Sequence, residues 1–255
     1  MLAVVSPAKK LNFDPHAEAL PFSAPAFPTQ AAQLVEIARG LSPADLKALM
    51  GISDALADLN HERFQRFSAD AGPGEAKQAA LAFSGDTYVG LRAAELSPEA
   101  LSWAQDHLVI LSGLYGALRP LDLIQPYRLE MGTRLASPAG KTLYDFWGQR
   151  IGEHLQRIVE AHDSPTVINL ASTEYFKAVK GLKATVITPT FKEVRGDKAR
   201  VIGLFAKRAR GMMARYMIEG RLTRPEALRD FSEGGYAFRP ELSTEKSWVF
   251  TRPQP

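Results

Sequence analysis

The chain has 255 residues, 45% of them hydrophobic and 23% charged, which is typical of a globular protein. It contains no cysteine, and this excludes disulfides, thiolate metal sites, iron–sulfur clusters and cysteine nucleophiles. No stretch approaches the roughly 20 apolar residues of a membrane span, and the first residues lack the pattern of a signal peptide, so we expect a soluble cytoplasmic protein. No linker-like segment interrupts the chain, and we predict a single domain over residues 1–255.

The charge is unevenly distributed along the chain. The net charge is only +3, yet residues 175–215 contain six lysines, five arginines and two acids. Such a concentration of cations is typical of a surface that faces a polyanion. The alternative interpretation is a solvated basic face without a ligand.

The N-terminal part of the chain predicts one strand, a proline-rich loop and three helices. Residues 2–5 are an apolar run typical of a buried strand, and a Ser-Pro-Ala-Lys turn follows at 6–9. The proline density of residues 12–28 excludes a helix or a central strand, so we predict an ordered loop anchored by Phe13, Phe22 and Phe27. Capping and periodicity signals then predict helices over residues 29–39, 43–50 and 54–67.

The short turn between the second and third of these helices makes residues 42–67 a candidate helix-hairpin-helix element. Strands and helices alternate through the rest of the chain. Apolar runs predict strands over residues 81–83, 107–111, 166–170, 184–187 and 201–205, and further apolar segments lie at 236–238 and 248–250. The main helices are predicted over residues 97–106, 144–161, 173–180 and 206–220. This alternation favours an α/β fold with a mixed, partly parallel sheet flanked by helices.

The most informative block is residues 111–132, LSGLYGALRPLDLIQPYRLEMG. It begins where a predicted strand ends, and ligand sites gather at the carboxyl ends of parallel strands. Gly113 and Gly116 would let backbone N–H groups approach an anion, and Arg119 and Arg128 would grip a phosphate. In the alternative interpretation, the glycines permit a tight turn and Arg128 pairs with an acid in the same block.

Two carboxylates are candidates for acid/base chemistry. Asp86 lies in a glycine turn just after the predicted strand at 81–83, and Glu130 lies in the central block. A pair of this kind would serve as general acid and base if the protein catalyses a reaction. The competing interpretation for Asp86 is that it caps the helix that follows.

Two further segments offer candidate phosphate contacts. The strand-to-helix junction at 168–177 would expose free N–H groups at a helix N-terminus, with Lys177 and Lys180 nearby. Residues 198–215 contain six basic groups and no acid, and four of the six lie on the predicted helix: Lys207, Arg208, Arg210 and Arg215. Because adjacent cations repel, they need counterions, which are either internal carboxylates or a bound polyanion. We favour the polyanion.

The sequence carries no recognisable signature for a metal, a cofactor or serine hydrolysis. The five histidines are scattered, and there is no HExxH, Walker A, dinucleotide or G-x-S-x-G motif. We therefore expect no metal, no cofactor and no nucleophilic serine.

These blocks resemble the YaaA family of bacterial peroxide-stress proteins, and the resemblance extends over nearly the whole chain. It is carried by residues 6–9, 83–91, 111–120, 126–132, 144–147, 168–177 and 206–215. The resemblance implies a cytosolic protein with a compact fold of its own, a helix-hairpin-helix element and a positively charged cleft that binds DNA. It also implies a role in keeping free intracellular iron low during exposure to hydrogen peroxide, which limits damage to DNA.

The hairpin of the family maps to residues 50–54, where N–H groups of the turn would contact phosphate. Ser53 stands where such a turn usually has its second glycine, and Asp54 and Asp58 add negative charge. DNA contact through Gly51 and Ser53 is therefore less secure than contact through the basic segment. The resemblance does not imply an enzyme activity.

The leading hypothesis is a protein that binds double-stranded or structured DNA with little sequence preference. Its candidate contacts are Lys9, Lys10, Gly51, Ser53, Arg119, Arg128, Lys177, Lys180, Lys207, Arg208, Arg210 and Arg215. The alternative is an enzyme acting on a nucleotide or a damaged nucleobase in a pocket formed by residues 111–132, with the base stacked on Tyr115 or Tyr127 and with Asp86 and Glu130 as the acid/base pair. A protein-binding adaptor ranks last, because no protein partner is identifiable; no membrane partner is expected.

Overall fold

The structure, a computed structural model, describes residues 1–15 and 20–254. Its strands are β1 (Leu2–Val5), β2 (Lys10–Leu11), β3 (Lys77–Gln78), β4 (Phe83–Ser84), β5 (Leu108–Ser112), β6 (Gly116–Leu118), β7 (Leu123–Ile124), β8 (Thr166–Leu170), β9 (Thr185–Arg195), β10 (Lys198–Arg200), β11 (Ala237–Phe238) and β12 (Ser247–Pro253). Its α-helices are α1 (Pro28–Arg39), α2 (Pro43–Met50), α3 (Asp54–Arg66), α4 (Ala79–Ala82), α5 (Asp86–Leu91), α6 (Pro98–His107), α7 (Leu143–Trp147), α8 (Arg150–Glu160), α9 (Thr173–Phe176) and α10 (Gly203–Glu219).

The central sheet has the strand order β11-β12-β9-β8-β1-β5-β6, and β10 pairs with β9. β1 is parallel to both of its neighbours, β5 and β8, and the parallel pairing continues through β9 to β12. The strands β6 and β11, at the two ends of this order, are antiparallel to their partners. The predicted α/β fold with a mixed sheet flanked by helices is confirmed, and the sheet is mostly parallel. β1 reads Leu-Ala-Val-Val and is buried throughout, as expected of a central strand with both faces covered.

The strand order creates a crevice beside β1. After β1 the chain crosses to β5 on one side, whereas after β8 it crosses to β9 on the other side. Adjacent parallel strands whose connections leave in opposite directions are separated at their carboxyl ends by a crevice, and this is the usual ligand site of open α/β sheets. The fold therefore places a candidate site between the ends of β1 and β8.

β9 extends well beyond the end of β8. It pairs with β8 only through residues 185–187, while residues 188–194 pair with β12 on its opposite edge. β10 pairs with residues 193–195 on the same edge as β8, because β12 occupies the other edge. β10 therefore lies in line with β8, about 20 Å farther along β9 at ~3.3 Å per residue. We call β10 and the overhanging part of β9 the ribbon.

The two helices predicted on either side of residues 51–53 are present. Ser42 and Asp45 form a capping box at the start of α2, and Gly51 ends that helix in the left-handed region with φ +61°. Ser53 caps α3 by accepting from the N–H of Leu56. That this pair of helices is a DNA-binding helix-hairpin-helix element stays a prediction.

Several predicted elements are wrong in detail. The single helix predicted over 144–161 is two helices, because Gly148 adopts φ +53° and ends α7. The strand predicted over 201–205 does not form. Residues 198–200, Lys-Ala-Arg, form β10 by pairing with β9, and α10 begins at Gly203. Residues 81–82, predicted as part of a strand, end the short helix α4.

The proline-rich segment is anchored by fewer aromatic side chains than predicted. Phe27 packs edge-on against Trp147 with ring centroids 5.5 Å apart, and Phe13 is partly buried against the core. Phe22 is 55% exposed and does not pack against the described hydrophobic core, so it does not anchor the segment. Residues 16–19 of the predicted loop lie outside the described residues. Within the described ranges, no helix combines the length and the apolar character needed to cross a membrane.

α5 and α10 cross at backbone contact. A Cβ on Gly211 of α10 would lie 1.7 Å from the carbonyl oxygen of Thr87, and a Cβ on Gly90 of α5 would lie 2.1 Å from that of Arg208. Only glycine permits this approach, so the two residues fix the position of α10 against the start of α5. The basic side chains of α10 are placed by the same contact.

We predict that Gly211→Ala destabilises the protein by roughly 1–3 kcal/mol, because the added methyl group overpacks the crossing. The matched control is Gly203→Ala in the same helix, where an added Cβ meets nothing within 4 Å. The free energy of unfolding in urea measures both variants. Equal stabilities for the two variants would show that the crossing tolerates a side chain.

Three aromatic rings stack where α6 ends. The ring centroids of Trp103 and His107 are 3.6 Å apart with an interplanar angle of 6°. Those of His107 and His162 are 4.6 Å apart with an interplanar angle of 2°. His107 Nδ1 is 2.9 Å from the Trp103 carbonyl oxygen, whereas the buried His162 Nδ1 has no partner among the described residues. Burial, followed by the repulsion of the Met1 amino group and His107, lowers the pKa of His162 to about 4. The folded protein therefore favours the neutral imidazole.

We predict that this stack makes the protein less stable as the pH falls from about 6.5 to about 4, because the unfolded chain takes up a proton that folded His162 does not. Below about pH 4 both the folded and the unfolded chain carry the proton on His162, so the loss of stability has reached its full size and no longer grows. Urea unfolding midpoints across the window measure the effect, and His162→Asn should flatten the pH dependence. Parallel curves for the variant and the wild type would assign the acid sensitivity to other groups.

Candidate functional site

A cleft with a volume of about 490 Å³ opens at the carboxyl ends of β1 and β8. Separate segments of the chain meet there: the turn after β1, the start of α5, the central block, the start of α9 and the first turns of α10. The polar and charged side chains of its lining are Ser6, Lys9, Lys10, Ser84, Asp86, Thr87, Tyr88, Glu130, Ser172, Glu174, Tyr175, Lys207 and Arg210. The fold thus brings together several blocks that the sequence marks separately.

Hydrogen bonds join the segments at the cleft. The Tyr88 hydroxyl donates to the Ser6 carbonyl oxygen at 3.0 Å, and the Ser172 N–H donates to Ser6 Oγ at 2.9 Å. Burial, and then the neighbouring Tyr127 and Tyr175, raise the pKa of Tyr88 well above its ordinary value. Tyr88 therefore remains a protonated donor that ties α5 to the turn after β1.

Glu130 neutralises part of the positive charge at the cleft. Its carboxylate lies 2.6 Å from Lys9 Nζ and 3.3 Å from Arg128 Nη2. The alternative interpretation of Arg128, pairing with an acid of its own block, is confirmed. Close by, the Gly132 N–H donates to Glu174 at 2.9 Å, and this bond connects the central block to α9.

Arg210 is the partly buried cation of the cleft, and it lacks a protein counterion among the described residues. Its side chain is partly buried and forms no salt bridge or hydrogen bond within residues 1–15 and 20–254. Burial lowers the pKa of the Arg210 guanidinium, and no carboxylate offsets that effect. Lys207 lies one helical turn before it and is exposed at the same cleft. A partly buried guanidinium without a counterion favours the binding of an anion.

The other arginines of α10 lie elsewhere. Arg208 and Arg215 line a second pocket, together with Arg92. Arg215 is 2.7 Å from Glu219 and 3.8 Å from Glu95, so its counterions are internal. Of the two interpretations of the basic segment, internal carboxylates account for Arg215, whereas Arg208 and Arg210 form no salt bridge with the described residues.

The remaining candidate contacts do not join the cleft. β6 is antiparallel to β5 and carries Arg119 to the opposite end of the sheet, where it lies 3.8 Å from Asp106. Lys177 lies over the Tyr144 ring at 4.9 Å, and Lys180 is exposed beyond it. Gly51 and Ser53 lie between α2 and α3. DNA contact by these residues stays a prediction.

Gly113 and Gly116 pack against protein and do not open the backbone to a ligand. A Cβ on Gly113 would lie 2.2 Å from the Leu129 carbonyl oxygen, and one on Gly116, at φ +71°, would lie 2.7 Å from the Trp147 ring. The Trp147 indole N–H donates to the Gly113 carbonyl oxygen at 3.0 Å. The expected anion cradle at these glycines is therefore wrong, and their tight packing is the reason.

Neither tyrosine of residues 111–132 lines the cleft that contains Asp86 and Glu130; Tyr115 instead borders a separate pocket beside Phe67 and Gln125. Tyr115 and Tyr127 are buried, and the Tyr127 hydroxyl lies 2.6 Å from Ser112 Oγ. A base cannot stack on Tyr127 without opening the core, and the pocket beside Tyr115 contains neither Asp86 nor Glu130. Glu130 is the member of this block that reaches the cleft.

Asp86 is not the helix cap that its position suggested. Gly85 is the N-cap of α5, Asp86 is the first helical residue, and no side chain caps the helix. The Asp86 carboxylate lines the cleft and forms no salt bridge or hydrogen bond with the described residues. Asp86 and Glu130 thus line the same cleft, and their role as an acid/base pair stays a prediction.

Sequence reasoning missed several polar groups of the cleft. Glu174, Tyr175 and Tyr88 line it, and none was assigned a role there. The available signal was position, because each lies just past the carboxyl end of a strand. Among the described side chains, no group of three or more His, Asp or Glu residues is arranged to hold a metal ion.

Comparison with known proteins identifies the family. The family model for Peroxide stress protein YaaA matches residues 1–242. A UPF0246 protein of Caulobacter vibrioides is 56% identical over 257 residues and covers 100% of both chains. UPF0246 proteins of Dinoroseobacter shibae and Magnetococcus marinus are 53% and 55% identical, over 100% and 99% of this chain and 96% and 99% of their own. The chain belongs to the peroxide stress protein YaaA family, as its resemblance predicted, and this membership supports a role in oxidative stress.

Proposed function

We propose that this protein binds the phosphate backbone of DNA during peroxide stress, through the cleft and the ribbon beside it. Arg210 is the observation that carries the proposal, since it is a partly buried cation at the cleft without a protein counterion. Lys10 and Lys207 are exposed at the same cleft. Phosphate matches a guanidinium in geometry and charge, and the DNA backbone presents phosphates in a row.

The ribbon extends this basic surface. Lys198 and Arg200 are exposed on β10, which lies on the same edge of β9 as β8 and beyond its carboxyl end. An extended polyanion that contacts Lys207 would therefore meet a second set of cations along the ribbon. A small anion would use the cleft alone, and so the ribbon favours DNA over a free anion.

The expected affinity is moderate and depends on salt. The cleft holds four cationic and three carboxylate side chains, and Lys9 is already paired with Glu130. Binding therefore depends on the few unpaired cations, whose contacts go to phosphates and carry little sequence information. The lowering of free iron implied by the family resemblance stays a prediction.

We predict that Lys207→Gln reduces the slope of log affinity against log salt by roughly 0.9, the contribution of one neutralised phosphate. Titration of a short duplex across salt concentrations measures this slope. The matched control is Lys183→Gln. Lys183 is also exposed, but it lies just before the amino end of β9, at the edge of the sheet opposite to the carboxyl ends that form the cleft. A slope near zero for the wild type, or equal losses in the two variants, would refute the proposal.

We also predict that Glu130→Gln strengthens duplex binding at low salt. The substitution frees Lys9 and Arg128 from their shared counterion. Two unit charges about 4 Å apart in water interact by ~1 kcal/mol, so the removal of one carboxylate charge next to a bound phosphate would raise the affinity roughly fivefold. The same titration measures the gain, and unchanged affinity would place the phosphates away from the cleft.

A second candidate function is an enzyme acting on a nucleotide or a damaged nucleobase. It is favoured by the presence of Asp86 and Glu130 in one cleft. Incubation with oxidised DNA and with free nucleotides, followed by mass spectrometry of the products, tests it. Turnover that disappears in Asp86→Asn would support catalysis, and no turnover with either substrate would exclude it for those substrates.

A further inference from the structure

We propose that the cleft receives a single nucleotide turned out of the DNA strand, and that Leu204 fills the place which that nucleotide leaves. This inference rests on the proposed function, and it specifies what enters the cleft. It is carried by the size of the cleft, the arrangement of its polar groups and the exposure of an apolar side chain one helical turn before Lys207.

The size of the cleft matches one nucleotide and excludes a duplex. Its volume is about 490 Å³, within the range of about 300–1,000 Å³ for small-molecule sites. A double helix is far too wide to enter, so duplex DNA reaches the deeper groups of the cleft only if a nucleotide leaves the base stack. Enzymes and other proteins that hold extruded bases do so in pockets of this kind.

The polar groups of the cleft suit a nucleotide better than a free anion. Arg210 and Lys207 supply positive charge for a phosphate, while the Asp86 carboxylate has no protein partner among the described residues. An unpaired carboxylate repels a simple anion, but it accepts hydrogen bonds from the amino and imino groups of a base. The Ser6 and Ser172 hydroxyl groups add donors and acceptors. Together these groups fit a ligand with an anionic part and a part that donates hydrogen bonds.

Leu204 is placed to act on the base stack. It is 57% exposed and lies in the first turn of α10, three residues before Lys207 and therefore on a neighbouring part of the same helix face. No acid occurs in residues 198–218, so the charged residues that flank Leu204 in sequence are all cations. Val201, just before the helix, is 52% exposed. Apolar side chains among cations are the means by which many DNA-binding proteins separate base steps.

The experiment uses the full-length protein and a duplex that carries 2-aminopurine opposite a mismatched base. Stacking quenches 2-aminopurine fluorescence, so extrusion of the base raises it. We expect a several-fold rise on binding, and we expect Leu204→Ser and Arg210→Met each to remove most of that rise. Leu242→Ser is the matched control, because Leu242 is 47% exposed but lies in residues 240–242, away from the helix that carries Lys207 and Arg210.

The salt slope of the same duplex separates this inference from the proposed function. Binding with a normal salt slope but without a rise in fluorescence would overturn the inference and leave backbone binding intact. A rise that survives both Leu204→Ser and Arg210→Met would also overturn it, since the base would then unstack elsewhere. Absence of any duplex binding would overturn both proposals. Circular dichroism of Leu204→Ser, a change at an exposed position, checks that the variant keeps its fold.

Discussion

The parallel pairing of β1 with both β5 and β8 is the constraint on which the site depends. Because these strands run in the same direction, the segments that follow β1 and β8 emerge at one edge of the sheet. Their connections then leave in opposite directions, so no loop covers the space between them. The hydrogen bond from the Ser172 N–H to Ser6 Oγ closes the base of that space, and the polar residues after each strand become neighbours.

A second contact determines which charges face this edge. α10 lies against α5 with Gly90 and Gly211 at the crossing, so that the backbones touch. The start of α5 carries Asp86, and the turns of α10 that precede Gly211 carry Lys207 and Arg210. The distance from the Asp86 carboxylate to Lys207 and Arg210 is thus set by two glycines, neither of which lines the cleft.

The sequence predicted best those features that depend on local periodicity and capping. The boundaries of β8 and α2 and the start of α3 depend on local signals, and the sequence predicts them correctly. The extent of β9 was underestimated, because its last residues form a strand only through pairing with β10 and β12.

The cleft depends on sheet order, which no local pattern contains. The blocks around Lys9, Asp86, Glu130, Ser172 and Lys207 are recognisable one by one, but only the order of the strands shows that they meet. Arg119 failed to join them for the same reason. Its strand is antiparallel, and this direction was not evident from a short apolar run.

Arg210 and Arg215 show why one basic helix gives two kinds of cation. Arg215 has Glu219 four residues later on its own helix and Glu95 on the facing segment. Around Arg210, the positions one turn away on α10 are Ala206, Lys207, Met213 and Ala214, none of which is acidic. A counterion for Arg210 can therefore come only from another segment or from a ligand, and no described segment supplies one. Arg210, which has no partner among the described residues, faces the crevice created by the strand order, and for this reason an external phosphate is its proposed partner.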